Sequence, residues 1–199
     1  MDNKKESSQA SFKSKFLTWD EFRQANFITQ LFLSKDPDLD TVSQLLDCLD
    51  SCSETIAFLL IKTLFADFYT YRQRLLPYIQ NAQNPDTMRL LMIMHMTTPN
   101  HLDEETITAI VSLYLDPHDT AMEPVVEAFV SQYPELALPS LISYGLKPHT
   151  AIRSQLLLQI IGQSKIKAIL GDINQFPTPV IDCIKQIPLN PRPPKTPGI

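Results

Sequence analysis

Glycine is scarce in this chain, at four residues in 199. A phosphate-cradling loop needs several glycines to let backbone amides approach the anion, and GxGxxG, GxxxxGK[ST] and GxSxG are all absent. The common nucleotide-binding and nucleophile-elbow chemistries are thereby excluded. Cysteine is equally sparse. Cys48, Cys52 and Cys183 form no CxxC pair, and an odd number of thiols builds no disulfide framework. This fits a reducing compartment, so a cytoplasmic location is expected. Basic charge is also lacking: the net charge is −5 and the pI about 5.3. No global positive field is present to release counterions from a nucleic acid. The longest apolar run, Thr55 to Phe65, is interrupted by Lys62. It reaches only about half of the ~20 residues a membrane span needs. The first fifteen residues are polar and contain no apolar core of a secretory signal, so the mature chain is expected to begin there.

Apolar residues nevertheless make up 44% of the chain and charged residues 20%, an ordinary globular balance. They recur at helical spacing. Ile107, Ile110, Val111 and Tyr114 follow i, i+3, i+4, i+7, and Leu45, Cys48, Leu49 and Cys52 repeat the pattern. Strand-type alternation is missing, and the sixteen prolines act as punctuation between helices. The spacing predicts a first helix over Trp19–Leu33, with Thr18 and Glu21 as a capping box. A second is expected over Asp40–Asp50, and a third over Glu54 to about Tyr69 capped by Ser53.

A longer period overlies the helical one. Leu45, Leu76, Ile107, Leu138 and Ile169 recur every 31 residues. Pro85, Pro117, Pro148 and Pro179, with Ser53 in the equivalent first place, follow about ten residues after each mark and are read as starts of second helices. A further aliphatic series, Ile61, Ile93, Val125, Leu156 and Ile187, recurs at 31 or 32. Phase-locked series of this kind predict an array of helix–turn–helix units. The expected fold is all-α: a right-handed α-solenoid of about five helix pairs, with the first helix as an N-terminal cap. The expected boundaries are a disordered tail over 1–17, the solenoid over 18–188, and a disordered Pro-rich tail over 189–199.

Leu76-Pro77-Tyr78-Ile79 and Leu138-Pro139-Ser140-Leu141 resemble the Leu-Pro-x-Leu of the first helix in HEAT and armadillo repeats. The turn prolines followed by Thr87, Asp119 and Thr150 strengthen the likeness. The resemblance implies a non-catalytic module or adaptor that binds a peptide or helix of another protein along its ridge of second helices. Relative to the aliphatic marks, the solvent-facing positions of that ridge are His95, Glu123, Glu127, Gln155, Gln159 and Lys185. Their charges are mixed, which suits a polypeptide better than a phosphate backbone. Neither membrane nor nucleic acid is expected as a partner, and no cofactor. The resemblance also admits two rivals: a nucleic-acid-binding or base-processing protein using Arg72, Arg74, Arg89, Lys147, Arg153, Lys165 and Lys167, and a tetrapyrrole-lyase-like enzyme.

Other clusters have structural readings. His95, His101, His118 and His149 make no i, i+4 pair, so no metal site is expected. Asp36, Asp38 and Asp40 contain Pro37 and lack the glycine and final glutamate of a calcium loop, which leaves a helix-dipole role. Met88, Met92, Met94 and Met96 are expected to fill core. Pro188, Pro191, Pro194 and Pro197 recur every three residues, the polyproline II period, and this end is read as a solvated tail whose deletion leaves stability unchanged, with a PxxP ligand of the SH3 type as the alternative.

Overall fold

Asp20, Asp38, Ser53 and Asp103 each cap the start of a helix in this computed structural model, which describes residues 12–34 and 37–195. All regular structure among those residues is helical. Elements fall into two compact units, Met1–Met96 and Thr97–Ile199.

In the first unit, α1 is described over residues 12–17 and α2 runs Glu21–Leu33. The expected tail over 1–17 is therefore helical in its described part; residues 1–11 lie outside the described residues. The reason is aromatic packing. Phe16 is buried, and its ring lies 5.7 Å from Trp19 and 6.1 Å from Phe27. The Thr18–Glu21 capping box does not form. Thr18 donates its hydroxyl to the Lys15 carbonyl at the end of α1, and Asp20 caps α2 by accepting from the Arg23 amide at 2.8 Å. Asp38 caps α3 (Leu39–Leu46) through the Asp40 and Thr41 amides, which accounts for it; Lys35 and Asp36 lie outside the described residues. Ser53 caps α4 (Glu54–Ala66) as expected. That helix buries Ile56, Leu60, Ile61, Leu64 and Phe65, leaves Phe58 exposed, and packs on α2, α5 and α6. The expected third helix is broken at Asp67, whose φ of −130° and ψ of 60° separate α4 from α5 (Phe68–Gln80). Arg89 of α6 (Asp86–Met96) is fully buried, and its Nε donates to the Ile79 carbonyl at 2.7 Å, which satisfies an orphan acceptor at the end of α5. Met92 and Met96 fill core, whereas Met94 is exposed.

The second unit contains α7 (Glu104–Leu115), α8 (Glu123–Gln132), α9 (Pro134–Gly145), α10 (Ala151–Ile161), α11 (Gln163–Leu170) and α12 (Thr178–Lys185). Asp103 caps α7 through the Thr106 amide at 2.9 Å. Packing runs in two series, with α7 against α9 and α8 against α10. Ile107, Ile110, Val126, Val130, Leu138, Leu141, Leu158 and Ile166 are buried.

The 31-residue marks Leu45, Leu76, Ile107 and Leu138 are buried, but Ile169 is half-buried and Ile166 takes the core place one turn earlier. In the second series Ile61, Ile93 and Ile187 are buried. Val125 and Leu156 are half-buried beside the buried Val126 and Leu157. A one-residue step turns a side chain by about 100° on a helix, so a series read from residue type locates a core position only to its neighbour.

Candidate peptide-binding face of the second unit

Glu123 and Glu127 stand four residues apart on α8 and therefore project from one side of it. Tyr114, in the last turn of α7, donates its hydroxyl to Glu127 Oε1 at 3.0 Å. Arg153 of α10 closes the other side. Its Nε donates to the Tyr114 carbonyl at 2.5 Å, its Nη2 pairs with Glu123, and its guanidinium lies 4.6 Å from the centre of the Tyr114 ring. The result is a pair of acids on one ridge, with a cation and a phenol fixing them from below.

The C-terminal segment covers these acids. After α12 the Pro188 carbonyl accepts from the Gln163 amide at 2.8 Å, and the Leu189 carbonyl accepts from the Ser164 amide and hydroxyl. Both amides belong to the first turn of α11, where no intrahelical partner exists. At Gly162 the chain passes so close that a Cβ there would sit 2.8 Å from the Pro191 nitrogen, and the glycine has φ +78°. Further on, the Arg192 amide donates to the Gln159 carbonyl at 2.7 Å and its Nη2 donates to Glu127 at 2.9 Å. The Lys195 amide donates to the second oxygen of Glu127 at 2.5 Å, and its ammonium pairs with Glu123. Four of the eight residues over 188–195 are prolines and have no amide hydrogen to satisfy, so an extended chain can lie here without a β-ladder.

The described part of the expected tail, residues 189–195, thus lies hydrogen-bonded along α8, α10 and α11, although all its side chains but Arg192 are exposed. Pro197, the last proline of the three-residue period, lies outside the described residues.

Electrostatics follow from the burial. It pushes both carboxyls up, but the hydrogen bonds from Lys195 and Arg153 leave Glu123 below the ordinary carboxylate range. Those from Arg192, the Lys195 amide and Tyr114 do the same for Glu127. The Tyr114 phenol is pushed up to about 12 by burial, then by its bond to Glu127.

Of the six ridge residues expected from the sequence, the structure assembles Glu123, Glu127 and Gln159 around one segment. The acids are not solvent-facing: Glu123 is 6% exposed and Glu127 0%, because Arg192 and Lys195 lie over them. Gln155 is half-buried and donates to Gln186 at 2.8 Å, and Lys185 is exposed at the end of α12. His95 belongs to the first unit, where its ring stacks on Phe65 at 5.3 Å. Tyr114, Arg192 and Lys195 were not legible as site residues. The available signal was charge: an acid pair at i, i+4 and a basic pair at i, i+3 in a polyproline period. Among the rival basic residues, Arg89 is buried and Arg153 is held by Glu123. The chain matches no family model, no curated protein and no solved structure.

Proposed function

We propose that this protein is a non-catalytic interaction module, a HEAT- or armadillo-like α-solenoid that binds another polypeptide in extended form along its second helices. One observation carries the reading. The α8/α10 face already holds an extended peptide, residues 188–195, through backbone and side-chain bonds. The two packing series, α7 on α9 and α8 on α10, support the solenoid part, since first helices stack on first helices and second on second in such arrays. Among the described residues no helix is long and apolar enough to cross a membrane.

Photocrosslinking in the native source tests the reading. A photoreactive residue at Gln155 in the full chain should give a discrete polypeptide adduct, and one at the exposed Phe22 of the first unit should not. Identical adducts from both positions, or none from Gln155, would refute it.

A further inference from the structure

The bound segment also defines what the face selects. We propose that the α8/α10 ridge recognises an extended, proline-containing segment of a partner protein with Arg-x-x-Lys spacing, and that residues 188–195 are a resident copy which such a partner displaces. This rests on the reading of the protein as a peptide-binding module.

Three observations lead there. The first is charge. Without the segment, Glu123 keeps Arg153 but Glu127 keeps only the Tyr114 hydroxyl, so the vacated ridge holds one uncompensated acid. A guanidinium with a second cation three residues later answers it, because residues i and i+3 of a polyproline helix share a side and lie about 9 Å apart. The second is the backbone. The Gln159 carbonyl and Glu127 Oε2 accept the amides of the two basic residues themselves, Arg192 and Lys195. Prolines are therefore tolerated between the two cations and not at them. The third is weak apolar attachment. Every side chain over 188–195 except Arg192 is exposed, and Leu189 retains 64% of its surface. The segment buries little hydrophobic area, so ion pairs and hydrogen bonds hold it, and a partner that supplies the same donors to the buried Glu127 can replace them.

Beside the segment an open cleft of about 380 Å³ lies between Val130, Pro134, Ile160 and Pro191. The resident copy places no large apolar side chain in it. A partner segment with an apolar residue adjacent to the Arg-x-x-Lys pair would gain that contact, and so could outcompete a tether whose effective concentration is of order millimolar.

The test uses a fluorescein-labelled peptide of residues 188–195, read by fluorescence polarization. Its targets are the full wild-type chain and a full-length Arg192→Ala, Lys195→Ala variant whose fold is checked by circular dichroism. The peptide should bind the variant at least about tenfold more tightly than wild type. Replacing both basic residues of the peptide by alanine should weaken it by about tenfold or more, and adding Glu127→Gln to the variant should abolish binding. Equal affinity for wild type and variant, or equal binding by the alanine peptide, would overturn the proposal. If the variant does not fold, the wild-type chain decides. Unlabelled peptide at about 1 mM should speed hydrogen exchange at the Arg192 and Lys195 amides, and unchanged exchange would overturn it. A Gln155 adduct without peptide binding would sink this inference while leaving the module reading intact; failure of both would remove both.

Discussion

Replacing Arg192 by alanine removes the 2.9 Å bond to a carboxylate that has no exposed surface. A hydrogen bond between charged groups contributes about 1.5–3 kcal/mol net. The Arg192 side chain keeps 32% of its surface in water, which screens the interaction and favours the lower half of that range. Loss of about 1.5–2 kcal/mol from docking corresponds to roughly a 10- to 30-fold change in the open fraction of the segment. The Lys195 amide is the natural reporter, since it donates to Glu127 and exchanges only when the segment lifts. Its exchange should accelerate about 10- to 30-fold in Arg192→Ala and by an intermediate factor in Arg192→Lys, which keeps the charge but loses the planar fork. In a Glu127→Gln background the arginine substitution should add little, as expected for two residues that act through one contact. Unchanged exchange in Arg192→Ala would refute the reasoning.

Three further outcomes follow from the same geometry. Both Glu123 and Glu127 have carboxyls held below the ordinary value of 4.5, so the docked state binds fewer protons than the released one. Docking should be fully present above pH 4.5 and lost as the pH falls below it, seen as migration of the Lys195 amide resonance toward its random-coil position; docking that strengthens on acidification would contradict the assignment. Gly162→Ala places a Cβ against the Pro191 backbone at φ +78° and should cost about 1–3 kcal/mol, read as faster exchange across 188–195. Ile107→Asp buries a charge at a position 6% exposed in α7 and should abolish cooperative unfolding of the second unit, followed by circular dichroism against urea; a stable variant would remove Ile107 from the core.

Helical class was legible because apolar spacing is a local property, and Ser53 and the α4 core could be read directly from it. Boundaries depended on competition between neighbours. Thr18 and Glu21 have the capping-box pattern, yet Asp20 lies closer to the helix start and Thr18 is used by the turn closing α1. The break at Asp67 left no mark in an apolar run that continues through Phe68. At the candidate site the ridge positions Glu123, Glu127 and Gln159 could be read from the aliphatic period. The burial of the two acids could not, because the cover arrives from residues 65 to 72 positions away. The polyproline period of the tail was equally visible. Its docking was hidden, since proline contributes no amide and the attachment rests on two basic side chains and four backbone groups without local signature.

The most direct measurement of whether the C-terminal segment occupies the α8/α10 ridge is a zero-length carbodiimide crosslink in the full chain, mapped by peptide mass spectrometry. Lys195 Nζ contacts Glu123, so an amide between these two side chains should be the dominant product formed by Lys195. Predominant linkage of Lys195 to other carboxylates, or no linkage of it at all, would contradict the account.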